Sequence, residues 1–407
     1  MKLCSTIFLL ISLTALPVAA KTSLLGGNYL WGLSTDFHGQ NSALGADPQP
    51  SLLMRGTAAN LAQVRQTAYS FSFGLDMARI SDGDDHTNFR RGAPTFFGMA
   101  LPMGELGTFG IGYNQLGHSA YNYYHGEMRL SSNPGASETD DPRHLYGTKS
   151  TDFFSDLMAW QLGFAREFAP FFRPGIAYER RTLTRQNAQT TLLHDFNIGS
   201  IDTTRWEHSA PAIQLALQGD VGDFSYAVGG TYVFEDDLRM RRNITSIRTV
   251  NDNFSGRELH DSSEVTQEYG MKLPPEATFG LGYRFSRHFR VYLDYSRIQW
   301  ENFWTDADDL DREYQNTNHI AGTAKYTPAI HKLNPGFWET ITYSGGFSLK
   351  SLPVEGDREF SLNMGMGMPL GANGELTVAL ESGIRRSDDF DYDESFATLW
   401  FTIGGGQ

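Results

Sequence analysis

A two-residue alternation recurs along most of this chain. Every second residue from Tyr69 to Met77 is large and apolar, and the residues between them are small or polar. Because successive side chains of a β-strand point to opposite faces, such a segment has one apolar and one polar face. The apolar face could pack in the core of a soluble sandwich, or it could contact lipid around a barrel with a polar lumen.

The alternation predicts about fourteen strands, an even number, as bacterial single-chain outer-membrane barrels require. The predicted strands lie near 67–80, 94–103, 107–118, 152–168, 171–184, 206–219, 222–236, 272–285, 288–300, 317–328, 337–350, 357–369, 374–386 and 394–404.

The connections between these strands alternate between short turns and long polar segments. Short turns are predicted at 103–107, 167–171, 218–224, 285–288 and 370–375, and long polar loops near 119–151, 185–205, 237–271 and 301–316. Outer-membrane barrels have short periplasmic turns and longer extracellular loops. The pattern therefore favours an all-β fold, a transmembrane antiparallel β-barrel of about fourteen strands with an N-terminal plug. A soluble secreted β-sandwich that acts as a binding protein remains the alternative.

The first twenty residues have the features of a cleavable secretory signal. Lys2 supplies a positive start, residues 7–16 are an apolar stretch, and residues 18–20 are a small-residue cleavage site. The single cysteine, Cys4, lies inside this signal, so cysteine catalysis and cysteine metal ligation are excluded for the exported chain. Removal of the signal would take away Lys2 and move the formal net charge from −14 to −15. This acidic balance argues against nucleic-acid binding.

Several segments of the last third occur in a characteristic order. They are 274–283, with the sequence PPEATFGLGY, 326–328 (YTP), 341–347 (ITYSGGF), 364–370 (MGMGMPL) and 380–386 (LESGIRR). This order resembles the last strands of the FadL-type outer-membrane proteins, the long-chain fatty acid and hydrocarbon transporter family.

The resemblance implies a fourteen-strand barrel that is plugged by an N-terminal hatch and that releases hydrophobic ligands sideways through its wall. It divides the chain into a signal (1–20), a hatch (21–66), a barrel (67–404) and a tail (405–407). The Asn-Pro-Ala signature common in family hatches is absent, and residues 57–60 read Thr-Ala-Ala-Asn instead.

Charged residues on the polar face of the strands are the first candidate site. By the alternation, six of them point into the lumen: Asp76, Arg284, Arg290, Asp294, Glu381 and Arg385. They could hold the hatch or receive a ligand carboxylate through arginine. The alternative is an ordinary solvated lumen with charge pairs.

Aromatic residues near the long loops are the second candidate, as an apolar entry groove or as an interfacial aromatic belt. They are Tyr121, Tyr123, Tyr124, Phe153, Phe303 and Trp304.

Gly107, Gly110 and Gly112 lie close together in the third strand, where glycines either mark a kink or relieve packing. In the resembled family, a kink in this strand makes the lateral exit.

The acidic run from Asp306 to Glu313 has oxygen ligands that suit calcium but lacks the glycine and spacing of an EF-hand loop. We therefore expect a solvated loop and no metal.

No Gly-x-Ser-x-Gly or His-Glu-x-x-His motif occurs in the sequence, so we expect no enzyme activity and no cofactor.

The sequence thus predicts a monomer in the cell outer membrane that contacts lipid and takes up a hydrophobic small molecule passively. A barrel of the same fold that acts as an anchor or a secretion shuttle, without small-molecule transport, is the second hypothesis.

Overall fold

The structure is a computed structural model that describes most of the chain after residue 56. The described ranges are 57–82, 85–131, 144–193, 198–249, 257–307, 314–328, 336–353, 358–371, 374–387 and 392–406. The predicted signal and most of the predicted hatch, residues 1–56, lie outside them.

Seventeen β-strands form one continuous antiparallel sheet. They are β1 (Ala68–Asp82), β2 (Asp85–Pro102), β3 (Thr108–Ser131), β4 (His144–Ala165), β5 (Arg173–Leu193), β6 (Ile198–Val221), β7 (Phe224–Val233), β8 (Asp236–Thr249), β9 (Arg257–Lys272), β10 (Glu276–Arg284), β11 (Phe289–Ile298), β12 (Trp304–Thr305), β13 (Thr317–Tyr326), β14 (Thr342–Ser351), β15 (Arg358–Leu370), β16 (Gly374–Ser387) and β17 (Tyr392–Gly406).

Three of the wall strands are interrupted, so these seventeen pieces make fourteen passes through the wall. β7 and β8 both pair with β6 and are two parts of one strand. β10 and β9 pair with β7 and β8 in the same way, and β11 and β12 pair with β10 and β9. The predicted fourteen-strand all-β barrel is therefore confirmed.

The sheet closes on itself through its first and last strands. β1 pairs with β17 from Ala68↔Gly406 to Ile80↔Glu394. Both of these strands begin or end at the same end of the barrel as the short turns, which we call the turn end; the opposite end is the loop end. The last strand includes Gly405 and Gly406, which the sequence assigns to a tail.

Large apolar side chains cover the outer face of the barrel. Leu215, Trp160, Leu362 and Leu293 expose between 51% and 61% of their surface, while their strand neighbours point inward and are buried. This is the inverse of a soluble protein, whose apolar faces are buried, and it fits a wall that contacts lipid.

The wall is much taller on one side than on the other. β6 has 24 residues, whereas β14 on the opposite side has 10. The segments near 119–151, 185–205 and 237–271, predicted as loops, are largely strands, because β3, β4, β5, β6, β8 and β9 continue toward the loop end. We call these continuations the tall wall. Their outer face carries exposed ion pairs such as Arg239–Glu268 at 3.0 Å. Toward the loop end their inner face also becomes polar, where Arg242 pairs with Asp202 at 2.6 Å.

Helical structure is limited to short turns in the described residues. The start of the strand predicted at 337–350 is wrong: Phe337–Thr340 is a single helical turn, and the strand begins at Thr342. A 3-10 turn, Ala58–Gln63, precedes the first strand. Among the described residues, no helix is both long and apolar enough to cross a membrane.

Candidate functional site

The residues before β1 lie inside the barrel near the turn end. Ala58, Ala59 and Leu61 are fully buried, and the amide nitrogen of Ala58 donates a 2.7 Å hydrogen bond to Oε1 of Gln214 on β6. A Cβ on Gly175 would come within 2.5 Å of the backbone nitrogen of Ala59, so β5 needs glycine at this close approach. We call residues 57–64 the inner segment.

A charged layer lies beside the inner segment, one step further from the turn end. Along the inner face of β5, Gly175 and Ala177 lie against the inner segment and are followed by Glu179 and Arg181. Arg181 donates to Glu179 at 2.9 Å and to Glu276 at 2.7 Å. Glu179 and Arg181 are almost completely buried, so this is a desolvated ion-pair network rather than a hydrated pore lining.

Beyond the charged layer, the inner face of the tall side becomes apolar. Buried side chains from β3 to β9 and from the segment after β11 form one group, which we call the inner apolar cluster. Its members are Leu116, Leu157, Ala159, Leu183, Trp206, Ala210, Ala212, Val233, Leu238, Met240, Met271, Leu273, Trp300 and Ala307. A purely aqueous barrel would place polar side chains here.

The three strand interruptions lie beside the inner apolar cluster, but irregular hydrogen bonds close them. Pro274 and Pro275 separate β9 from β10, since proline lacks the N–H that a ladder needs. The backbone nitrogen of Gln299 donates to the Pro275 carbonyl at 3.0 Å, and that of Phe234 donates to the Pro211 carbonyl at 2.9 Å. The wall therefore stays closed at the interruptions.

The wall does lose pairing between β2 and β3. Their ladder runs from Pro102↔Thr108 only as far as Phe96↔Asn114. Among the strand residues that the structure describes, β2 before Phe96 and β3 after Asn114 face each other without a ladder. We call this region, between residues 85–95 and 115–131, the notch.

Both strands carry a bulge where the notch begins. Thr95 is the extra residue of β2 against β1, and Leu116 is the extra residue of β3 against β4. Because a bulge bends a strand and can end its pairing, the two bulges explain why the β2–β3 ladder stops at this point. Leu116 also belongs to the inner apolar cluster, which therefore reaches the edge of the notch.

The six charged residues predicted for the lumen do not converge on one site. Asp76, half-buried on β1, lies on the inner face. Arg290 is near the turn end of β11, and Arg284 lies at the rim, where its side chain approaches Asp223 at 3.3 Å. Asp294 is buried at mid-height, packed so closely that a Cβ on Gly280 would be 2.5 Å from its Oδ1.

Glu381 and Arg385 lie together on the inner face of β16, opposite the tall wall. Arg385 donates to Glu359 at 2.6 Å and to Glu394 at 2.8 Å. Glu381 accepts a 2.6 Å hydrogen bond from Ser361. The lumen thus has a charged side, on β14 to β17, and an apolar side.

The predicted aromatic groove is only partly brought together. Phe153 is buried on the inner face and lies 5.3 Å from the guanidinium of Arg185. Phe303 packs against the inner apolar cluster, whereas Trp304 is 47% exposed and lies over Gly270. The backbone of Tyr121, Tyr123 and Tyr124 is part of β3, but their side chains lie outside the described residues.

The three glycines predicted to kink the third strand lie before the bulge. Gly110 and Gly112 pair in register with β2, and Gly107, with φ +126°, ends the preceding turn. The register shift follows at Leu116. Of the acidic run 306–313, the structure describes only Asp306 and Ala307.

Sequence reasoning missed the inner apolar cluster. Trp206, His208, Ala210 and Ala212 repeat at every second position of β6, and this was the available signal. The alternation alone does not reveal the cluster, because an inward apolar stripe is not expected in a polar barrel lumen.

Solved structures of known barrels share this fold. The P. putida toluene transporter TodX aligns with a TM-score of 0.57 and 14% identity, covering 90% of this chain and 94% of that one. The CymD monoaromatic hydrocarbon channel aligns with a TM-score of 0.56 and 12% identity, over 93% of this chain and 98% of its own. A Pseudomonas aeruginosa FadL homologue aligns with a TM-score of 0.57 and 11% identity, covering 95% of this chain and 98% of that one. At such identities the likeness shows the fold, that of FadL-type outer-membrane barrels.

No curated protein matches the sequence. The BamG family model matches residues 54–392, which is most of the chain and includes nearly the whole barrel. The chain belongs to the BamG family.

Proposed function

We propose that this barrel lies in the outer membrane and lets hydrophobic small molecules cross it passively. The inner apolar cluster is the observation that carries the proposal. Lipopolysaccharide and a hydrated lumen both resist apolar solutes, so an apolar surface inside the wall offers them a favourable path. Because outer-membrane barrels have short periplasmic turns, the proposal places the turn end in the periplasm and the tall wall outside the cell.

The notch is the exit that the geometry supports best. Toward the turn end, a solute would meet the buried Arg181 network and then the inner segment. The charged network binds an apolar molecule poorly, and the inner segment occupies the lumen behind it. Through the notch the solute would leave past Leu116. The β1 residues Leu75 and Met77, beside the notch strand β2, are exposed on the outer face, so the exit would lead into lipid.

The names of the structural neighbours agree with this function. TodX is a toluene transporter and CymD a monoaromatic hydrocarbon channel. Long-chain fatty acids, the ligands of the resembled family, are the other substrate class that the proposal includes. No covalent step is required, and the lipid and the solute are the only partners it needs.

Uptake measurements test the proposal. Cells that lack their own channels for toluene and oleate should take up both labelled compounds faster when they express this protein. Leu183→Gln should reduce uptake several-fold because it places an amide in the inner apolar cluster. Thr323→Gln, on the inner face of β13 beside the charged side of the lumen, is the matched control and should leave uptake unchanged. Equal uptake with and without the folded protein would contradict the proposal and favour an anchoring role.

A further inference from the structure

Two buried polar atoms interrupt the apolar side of the lumen. Trp206 and His208 follow each other on the inner face of β6 and are 5% and 1% exposed. Neither the indole nitrogen Nε1 of Trp206 nor the imidazole nitrogen Nε2 of His208 has a hydrogen-bond partner among the described residues. Leaving such groups unpaired is costly, so native proteins rarely do so without a reason.

The two atoms have opposite hydrogen-bonding roles. The other imidazole nitrogen, Nδ1, lies 3.0 Å from the carbonyl oxygen of Asp237, and only a protonated Nδ1 can donate to a carbonyl. In the neutral ring this leaves Nε2 as an acceptor, while the indole N–H is a donor only. Two residues along one strand face place their Cα atoms roughly 6.6 Å apart. At this spacing a single small group has the size needed to bridge the two side chains.

Apolar side chains from the neighbouring strands lie beside this pair. Directly opposite on the neighbouring strands, His208 faces Leu183 and Leu238, and Trp206 faces Met240. On its other side, the Arg185 guanidinium lies 4.6 Å from the centroid of the Trp206 ring and so covers a ring face. Cation–π contact leaves the indole N–H at the ring edge unused.

We propose that this pair selects apolar ligands that carry a hydroxyl group. A hydroxyl both accepts and donates: its oxygen would accept from Trp206 Nε1, and its proton would go to His208 Nε2. A plain hydrocarbon leaves both atoms unpaired, and an ionised carboxylate has no proton to donate to His208 Nε2. The inference rests on the proposed function and names, among the apolar solutes that cross, the class that this pair binds most tightly.

Three benzyl compounds test the selection, since they differ only in one substituent: ethylbenzene (methyl), benzyl alcohol (hydroxyl) and phenylacetate (carboxylate). Binding is measured by equilibrium dialysis with the full chain in lipid nanodiscs, and empty nanodiscs correct for partition into lipid. Trp206→Phe and His208→Leu should each weaken benzyl alcohol binding about tenfold. Both should leave ethylbenzene binding within about twofold, because the apolar surroundings stay.

Trp160→Phe is the matched control, as Trp160 lies on the outer face of β4 and is 55% exposed. It should change neither ligand. Heat-modifiable migration confirms that each variant is folded. The inference is overturned if both variants affect benzyl alcohol and ethylbenzene alike, or if phenylacetate is the ligand they lose. If the wild-type protein binds none of the three, the proposed function itself fails.

Discussion

The amide nitrogen of Ala58 donates a 2.7 Å hydrogen bond to the side-chain oxygen of Gln214, which ties the chain before the first strand to the wall. Beside this contact, on the neighbouring strand β5, Gly175 lies so close to the backbone of Ala59 that no side chain fits between them. β5 and β6 therefore both contact the inner segment. Its position requires glycine at residue 175, where any larger side chain would collide with it.

Gly175→Ala should displace the inner segment and raise ion conductance through the barrel. The added Cβ would lie 2.5 Å from the Ala59 nitrogen, so the segment must move. Gly112→Ala is the matched control, because the nearest atom to its added Cβ is 3.4 Å away. Conductance is measured in planar bilayers. Equal conductance of the two variants would show that the inner segment does not restrict the lumen.

Arg385→Gln should destabilise the barrel by about 3 kcal/mol, because it leaves the buried carboxylates of Glu359 and Glu394 without their cation. Arg239→Gln, in an exposed pair with Glu268, should cost under about 1 kcal/mol. Urea unfolding in detergent compares the two. A similar loss in both would mean that the carboxylates of the charged side are hydrated.

Linking the two edges of the notch should block uptake. Ala93→Cys and Gly117→Cys, joined by a reducible bis-methanethiosulfonate linker, would hold β2 against β3 where their ladder has ended. Toluene uptake should fall, and a reductant should restore it. Ala100→Cys with Gly110→Cys is the control, because these residues already pair. Unchanged uptake in the linked notch variant would contradict exit through the notch and favour a path along the barrel axis.

Opposite ends of the barrel should differ in their access to reagents in intact cells. Arg242→Cys lies on the tall wall, where Arg242 is exposed, and Arg166→Cys lies beside a turn at the turn end. A membrane-impermeant maleimide should label the first in intact cells and the second only after the outer membrane is permeabilised. The reverse result would invert the orientation assigned here.

The strands of the barrel could be predicted because lipid imposes a strict rule on one face. From Tyr69 to Met77 the outer side chains must be apolar, and this alternation makes each strand visible. In the tall wall both faces are free of that rule. Arg239 and Arg241 lie on the outside of β8, and Arg242 lies on its inside, so the sequence there has the composition of a loop.

The candidate site could be predicted less well, because it depends on contacts between distant strands. Inward charges such as Arg385 follow from alternation, but their partners depend on register across several strands. The notch depends on two bulges, at Thr95 and Leu116, and neither residue type marks a bulge. The glycines that do suggest one, Gly110 and Gly112, lie in regular pairing.

The unequal height of the wall has a consequence for where a solute first meets the protein. β6 has fourteen more residues than β14, which corresponds to roughly 45 Å along the strand direction. In the proposed orientation, the tall wall would extend into the sugar layer of the outer leaflet, with its concave side toward the short strands. Solutes diffusing parallel to the membrane would be intercepted from one direction only, so the molecule has a front and a back in the membrane plane.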